Sequence, residues 1–154
     1  MIPSADDHRY LDAALAEAEA AARAGEVPVG AVIVCDGAIV ARAQNRMRRD
    51  QDATAHAEVL ALRAAARVVG DARLDRCTLY ITLEPCAMCA GAIVLARVHR
   101  VVFAAWDDKA GMAGSVGDLL RHPRLNHAPQ VLGGVDADAS AALLRAFFAA
   151  QRER

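Results

Sequence analysis

A predicted strand runs into a predicted helix within the stretch Thr82-Leu83-Glu84-Pro85-Cys86-Ala87-Met88-Cys89. Residues Thr78 to Leu83 alternate as a strand does, and Pro85 suits the first position of a helix because its missing N–H needs no partner there. The Cys86 thiol is then predicted to lie at the positive end of the helix dipole, which lowers its pKa and favours the thiolate that a metal ion binds. Two thiols therefore flank a strand-to-helix junction.

An imidazole and a carboxylate lie upstream, in the segment Thr54-Ala55-His56-Ala57-Glu58. We predict that one zinc ion is bound by His56, Cys86 and Cys89, because catalytic zinc keeps three protein ligands and a water, whereas structural zinc is usually closed by four ligands. Glu58 is the candidate proton carrier. In an ideal helix, side chains two positions apart do not face each other. At the first turn of a helix, however, His56 and Glu58 can both reach a centre in front of the N-terminus.

The composition predicts a single cytoplasmic domain. The chain has 154 residues and a formal net charge of -1, which fits one domain over residues 1–154 and excludes a strongly basic nucleic-acid-binding protein. The N-terminal segment carries charges throughout and lacks an unbroken apolar run, so we expect neither a signal peptide nor a membrane span. A chain of this length needs no disulfide, and we interpret Cys35 and Cys77 as small apolar residues.

Any nucleic-acid partner must use a local basic patch, because the overall charge is close to neutral. The candidate patches are a loop with Arg42, Arg46, Arg48 and Arg49, and the C-terminal region with Arg145, Arg152 and Arg154. Surface arginines are common, so a solvated charged face is an equally good interpretation of either patch.

Periodicity and turn signals divide the chain into alternating helices and strands. Asp6 or Asp7 can cap a first helix that runs to Gly25, and Asp36-Gly37 predicts a hairpin. The apolar strand before this hairpin should be covered on both faces. The alternation predicts an α/β layered sheet. The other predicted helices cover residues 55–69, 85–95, 116–121 and 136–150, and the predicted strands cover residues 29–34, 38–43, 78–83, 100–105 and 130–132.

The pattern His-x-Glu followed by Pro-Cys-x-x-Cys resembles the signature of the zinc-dependent nucleoside and nucleobase deaminases. Beyond this signature, the stretches Glu26-Val27-Pro28-Val29-Gly30-Ala31 and Phe147-Phe148 resemble the bacterial tRNA-specific adenosine deaminases, and the resemblance runs almost from end to end. It implies a cytidine-deaminase-like three-layer α/β/α sandwich with a five-stranded mixed sheet.

The same resemblance implies a reaction, a cofactor and partners. The reaction is hydrolytic deamination of adenosine to inosine at the wobble position of an arginine tRNA anticodon stem-loop. The cofactor is Zn2+, one ion per subunit of a homodimer, and it activates a water molecule. Glu58 takes the proton of that water, delivers it to the purine N1 and assists the departure of ammonia from C6.

Five further residues match positions that hold the RNA in the resembled family. Asn45 corresponds to a hydrogen-bond partner of the purine, Val29 to a residue packed under its ring, and Ala57 to a backbone N–H donor. Asp107 and Phe148 correspond to residues that touch neighbouring nucleotides of the anticodon loop. Four of the five also have plain structural interpretations: Asn45 as a turn residue, Val29 as core, Asp107 as a loop charge and Phe148 as an apolar helix contact.

Four positions depart from that family at the expected RNA-facing rim, namely Ala53, Trp106, Ala110 and Met112. They leave the zinc chemistry untouched, but they affect how the substrate is recognised. An alternative is therefore a free nucleobase or nucleoside deaminase acting on guanine or cytosine, because the metal site would be the same. A non-catalytic zinc module that binds RNA is disfavoured because it has no use for Glu58, and a thioredoxin-like redox pair is disfavoured by the upstream histidine and glutamate.

Overall fold

A computed structural model describes residues 1–153, so Arg154 of the predicted C-terminal patch lies outside the described residues. No helix within residues 1–153 is both long enough and apolar enough to cross a membrane. In chain order the helices and strands are α1 (Ala5–Arg23), β1 (Gly30–Cys35), β2 (Ala38–Gln44), α2 (Ala57–Val69), β3 (Cys77–Leu83), α3 (Ala87–Leu95), β4 (Arg100–Ala105), β5 (Gln130–Leu132) and α4 (Ala137–Arg152).

The five strands form one mixed sheet in the order β2-β1-β3-β4-β5. Strand β1 is antiparallel to both of its neighbours, whereas β3, β4 and β5 run parallel. Helices α2 and α3 cover one face, and α1 and α4 cover the other. The predicted three-layer α/β/α sandwich with a five-stranded mixed sheet is therefore confirmed.

Strand β1 is buried on both faces, as its apolar run predicts. Ala31 and Ile33 join the core beneath α2 and α3, while Val32 joins the core beneath α1, because successive side chains of a strand point to opposite faces. Gly30 allows α1 to approach the sheet closely, since a Cβ there would collide with the carbonyl oxygen of Ala14.

Local signals account for most element boundaries. Helix α1 begins with a capping box, in which the Ser4 hydroxyl accepts from the Asp7 N–H and the Asp7 carboxylate accepts from the Ser4 N–H. Ser4, and not the predicted Asp6 or Asp7, is therefore the N-cap. Asp36 and Gly37 form the predicted hairpin turn, with φ values of 51° and 78°, because a type I′ turn needs positive φ at both central residues. Strands β4 and β5 match their predicted bounds.

One predicted helix is wrong. Residues 116–121 form turns, because this segment pairs with the turn that precedes it. Ala113 and Asp118 form an isolated antiparallel bridge, and the Leu119 N–H donates to the Met112 carbonyl. Leu120 is fully buried beneath this arrangement. Leu120 is thus buried by a turn and not by a helix.

The strand directions bring the predicted site residues to one edge of the sheet. Parallel strands β3 and β4 pair at Leu83 and Ala105, so the residues that follow them emerge side by side. Strand β1 runs the other way and pairs Gly30 with Gln44 at the end of β2. Ligands of open α/β sheets bind beyond the carboxyl ends of parallel strands. The predicted site residues that flank the strands at this edge are Val29, Asn45, Cys86 and Asp107.

The opposite edge of the sheet holds a disulfide between Cys35 and Cys77. Cys35 ends β1, Cys77 begins β3, and the register pairs them directly, with their Cα atoms 4.5 Å apart. The interpretation of these cysteines as free apolar residues is therefore wrong. The pairing depends on the register of two strands whose cysteines are 42 residues apart, and no local pattern shows it.

Removing this disulfide should lower the free energy of unfolding. A bridge between positions 42 residues apart restricts the unfolded chain, which is worth about 4 kcal/mol in the chain-entropy description. We expect the oxidised protein to unfold at a higher denaturant concentration than the reduced protein, and the Cys35→Ala/Cys77→Ala variant to match the reduced protein. Thiol titration of the oxidised chain, after denaturation and removal of zinc, tests the premise: two titratable thiols support the bridge, and four contradict it.

Candidate active site

A histidine and two cysteines meet at the N-termini of α2 and α3. His56 is the N-cap residue of α2, Cys86 is the N-cap residue of α3, and Cys89 lies in the first turn of α3. The Nδ1 atom of His56 is 3.7 Å from the Sγ atom of Cys86 and 3.5 Å from the Sγ atom of Cys89. One potential ligand atom from each residue lies within 4.8 Å of the other two. The structure thus brings the three predicted ligands together.

This triangle has the dimensions of a tetrahedral zinc site. With zinc bonds of about 2.3 Å to sulfur and about 2.0–2.1 Å to nitrogen, tetrahedral angles separate the nitrogen and sulfur atoms by about 3.5 Å. Both distances from the Nδ1 atom of His56 are close to that value. Thiolate and imidazole are also donor types that suit zinc. Three protein ligands leave a coordination position for water or substrate, as in catalytic zinc sites.

Glu58 reaches the same space from the first turn of α2. Its side chain is 4% exposed and lines a cavity together with His56 and Cys86. Burial raises the pKa of the Glu58 carboxyl, although its own backbone N–H and the nearby His56 act in the opposite direction. Both side chains of the His-x-Glu pattern therefore reach one centre, through the first-turn geometry expected from the sequence.

The two thiols have different proton affinities in the metal-free chain. A hydrogen bond from Cys89 lowers the pKa of Cys86 to about 4, against the effect of burial and with help from His56. The same bond, together with burial, raises the pKa of Cys89. The N-terminus of α3 also favours a thiolate at Cys86. One thiolate is therefore available to a cation, whose charge favours loss of the second thiol proton.

The ligand cluster opens into a cavity of about 190 Å³. Pockets for drug-sized ligands usually enclose about 300–1,000 Å³, so this cavity has room for a group of about the size of a single base. The predicted site residues in its lining are Val29, Asn45, His56, Ala57, Glu58, Cys86 and Asp107. The other lining residues are Val27, Met47, Leu83, Glu84 and Ala110.

Asn45 is buried and already makes two internal hydrogen bonds. Its amide nitrogen donates to the Val27 carbonyl at 3.2 Å, and its amide oxygen accepts from the Met47 N–H at 3.2 Å. An asparagine amide carries two N–H donors and an oxygen with two lone pairs. One donor and one acceptor position therefore remain, so that Asn45 can shape its turn and contact a base as well.

Val29 and Ala57 contribute small surfaces to the cavity. Val29 lies just before β1 and is 9% exposed, so it belongs to the core and to the cavity wall at once. Ala57 is the first residue of α2. The N–H groups in the first turn of a helix have no intrahelical partner, which leaves the Ala57 N–H available to a ligand.

The last two predicted substrate contacts are placed differently. Asp107 lines the cavity, and its Oδ1 atom accepts from the N–H groups of Lys109 at 3.1 Å and Ala110 at 3.2 Å. Asp107 thus shapes its own loop. Phe148 lies on α4, is 44% exposed and packs edge-on against Phe147. The structure does not bring Phe148 into the cavity lining.

The predicted arginine patch does not lie in one loop, because Arg42 belongs to β2 and only the other three arginines follow that strand. The patch is also partly neutralised within the chain. Arg49 pairs with the buried carboxylate of Glu26, and Arg46 pairs with Asp50. Two of the four arginines in this patch therefore have carboxylate partners of their own, which weakens the patch as a free docking surface for phosphates.

Two buried carboxylates beside the cavity, Glu26 and Glu84, were not predicted from the sequence. Glu26 accepts from the N–H groups of Arg48 at 3.0 Å and Arg49 at 2.8 Å, and it thereby holds the loop that follows Asn45. Glu84 accepts hydrogen bonds from the loop after β4. Burial acts to raise the pKa of both carboxyls, but the donors outweigh it and lower the pKa. Their only sequence signal is a position shortly before a proline.

Comparisons with known proteins agree with the fold and the cluster. The MafB19-like deaminase family matches residues 5–149, and this match places the chain among the deaminases of the cytidine-deaminase-like fold. The tRNA-specific adenosine deaminase of Bacillus subtilis is 46% identical over 148 residues, which are 96% of this chain and 92% of that protein. The chain belongs to the family of the tRNA-specific adenosine deaminases.

Solved structures extend the comparison. A structure from work on A-to-I editing by tRNA:A34 deaminases at the wobble position of transfer RNA has a TM-score of 0.86 and 43% identity, and the match covers 89% of this chain and 99% of that chain. The guanine deaminase from Nitrosomonas europaea has a TM-score of 0.78 and 27% identity, with coverage of 97% and 87%. The substrates of these two relatives are A34 of a tRNA and guanine, and each contains a purine base.

Proposed function

We propose that this protein deaminates adenosine to inosine at the wobble position of an arginine tRNA anticodon, with a zinc ion bound by His56, Cys86 and Cys89. The observation that carries the proposal is the ligand triangle beside the buried Glu58, at a cavity with room for one base. Identity of 46% to the tRNA-specific adenosine deaminase of B. subtilis, against 27% to the guanine deaminase of N. europaea and 36% to that of B. subtilis, favours tRNA as the substrate.

The residues of the chain divide the chemistry among them. When bound, zinc supplies Lewis-acid activation of a water molecule. Glu58 accepts one proton of this water and delivers it to the purine N1, and then transfers the second proton to the departing amine. The C6–O bond forms, the C6–N6 bond breaks, and water and adenine become hypoxanthine and ammonia. The raised pKa of the Glu58 carboxyl suits a group that must both take up and release protons.

The cavity wall holds the base during this exchange. The space admits one base, so the wobble nucleotide must leave its stack to enter it. Val29 packs under the ring, the remaining donor and acceptor of Asn45 bond the purine edge, and the Ala57 N–H donates to it. Asp107 meets the neighbouring nucleotide at the rim, and Phe148 contacts flanking RNA outside the cavity.

Residues 1–154 act as one deaminase domain in the cytoplasm, as a homodimer with one zinc ion per subunit. In a reducing cytoplasm Cys35 and Cys77 would be thiols, so the bridge is a property of the oxidised protein.

The substrate is tested with a synthetic anticodon stem-loop that carries adenosine at the wobble position. The matched control moves the adenosine by one position within the same loop, and guanine, cytosine and free adenosine are assayed beside it with zinc content recorded. Inosine formed only at the wobble position supports the proposal. Turnover of guanine or cytosine alone would favour the free-base alternative, and an inactive zinc-loaded protein would favour a non-catalytic zinc module.

The RNA contact proposed for Asp107 can be tested separately from the part that Asp107 plays in shaping its loop. Asp107→Asn keeps an Oδ1 acceptor for Lys109 and Ala110, whereas Asp107→Ala removes it. If the carboxylate also contacts RNA, both variants should raise KM for the stem-loop by about tenfold, because a lost hydrogen bond to a charged group is worth about 1.5–3 kcal/mol. Zinc content should not change. Wild-type kinetics in Asp107→Asn would restrict this residue to shaping the loop.

A further inference from the structure

The carboxylate of Glu84 lies at the centre of the loop 107–115. Its Oε1 atom accepts from the Asp107 N–H at 2.9 Å and from the Ser115 hydroxyl. Its Oε2 atom accepts from the N–H groups of Ala113 and Ser115, each at 3.0 Å. Glu84 is 2% exposed. One buried side chain thus accepts hydrogen bonds from the start, the middle and the end of this loop.

The loop also packs directly on this side chain. Gly111 lies against the Glu84 carboxylate so closely that a Cβ at position 111 would collide with it. The next residue, Met112, donates its N–H to the Pro85 carbonyl at 2.8 Å. The loop therefore wraps around Glu84 and is bonded to the segment that leads into Cys86.

The four donors leave Glu84 without capacity for a substrate. An ionised carboxylate has about four lone-pair positions, and each oxygen of Glu84 accepts two bonds from the loop. Glu84 lines the cavity together with Asp107 and Ala110 of the loop. Because its oxygens are occupied by loop donors, Glu84 influences the substrate through the shape of the loop, and not through a hydrogen bond of its own carboxylate.

We propose that Glu84 is a positioning residue, which fixes the loop 107–115 against the thiol-bearing segment and so gives the substrate rim its shape before RNA binds. The inference rests on the proposed function. Because a preformed rim loses less conformational entropy when it binds, the effect should appear in substrate binding. Since Glu84 directly precedes Pro85 and Cys86, one segment of chain places both a zinc ligand and the rim.

Glu84→Gln tests this proposal with little change in shape. A glutamine replaces one acceptor oxygen by an NH2 group, which faces loop donors and cannot accept from them. We expect KM for the stem-loop to rise by about tenfold, with kcat and zinc content retained. Gly111→Ala keeps the Glu84 side chain itself and should also raise KM while kcat is retained, because the alanine Cβ would collide with the Glu84 carboxylate and with the Asp107 carbonyl.

A matched control distinguishes positioning from general destabilisation. Asp7 is another buried carboxylate, bonded to Arg100 and Tyr80 at the far edge of the sheet and absent from the cavity lining. Asp7→Asn should lower the melting temperature while leaving KM unchanged. If Asp7→Asn raised KM as much as Glu84→Gln does, the effect would be general and the proposal wrong.

Amide hydrogen exchange tests the same proposal without turnover. In Glu84→Gln the amides of Asp107, Ala113 and Ser115 should exchange faster than in the wild type, while β1 amides keep their protection. Trp106, the single tryptophan, adjoins the loop and should become more accessible to a fluorescence quencher. Unchanged exchange at these three amides overturns the proposal, even if the wild type fails to deaminate the stem-loop. Unchanged KM with an active wild type also overturns it.

Discussion

Glu58→Gln is expected to lower kcat on the anticodon stem-loop by about 10²–10⁴-fold, the usual contribution of a general acid–base group. Glutamine has nearly the same shape and can still donate and accept hydrogen bonds, but it cannot carry a proton from water to the purine. The residue is not one of the three sulfur and nitrogen ligands, so zinc content should stay at the wild-type level. Single-turnover kinetics and metal analysis on the same sample check both statements.

The thermal stability of the Glu58→Gln variant tests the role of Glu58 independently of kinetics. Glu58 is a buried carboxyl whose pKa is raised by burial, and a buried ionisable group is costly unless it is fully paired. A neutral glutamine should therefore leave the melting temperature of the zinc-loaded protein unchanged or higher, as is common when a functional residue is replaced. Glu19→Gln, at an exposed position of α1, is the matched control. A fully active Glu58→Gln enzyme would remove Glu58 from the mechanism.

The layered fold could be predicted because its signals are local. The apolar run of β1, the Asp36-Gly37 turn and the bounds of β4 each follow from a few neighbouring residues. The disulfide could not be predicted, because it depends on the register between β1 and β3. The helix expected at residues 116–121 is wrong for the same reason, since its backbone groups bond to a turn whose position is set by tertiary structure.

The site shows the same division between local and distant signals. The ligand triangle follows from two short motifs, because each places its side chains at the first turn of a helix and both helices begin at one edge of the sheet. Glu26 and Glu84 have no such signal, since most of their partners are backbone N–H groups of loops more than twenty residues away. Backbone groups are the same in every residue, so no pattern of side chains identifies which loop a buried carboxylate will hold.

Cys86→Ser is expected to remove both zinc and activity. Zinc binds thiolate strongly, and a serine hydroxyl is a much poorer ligand because it keeps its proton near neutral pH. His56 and Cys89 would then remain as two ligands, too few for a catalytic site with three. Metal analysis after gel filtration should show zinc falling from one equivalent per chain toward none. Loading with Co2+ should likewise fail to give the absorption of a site with two thiolates.

The matched control is the double variant Cys35→Ser/Cys77→Ser, compared with the wild type in reductant. It makes the same chemical change twice at the opposite edge of the sheet, so it should keep zinc and activity. Full zinc occupancy in a folded Cys86→Ser protein would mean that the coordination is misassigned. Loss of zinc in both variants would mean that binding depends on the integrity of the sheet. Loss in Cys86→Ser alone ties the metal to the strand-to-helix junction, because within residues 1–153 the thiols at a helix N-terminus and within ligand distance of His56 are those of Cys86 and Cys89.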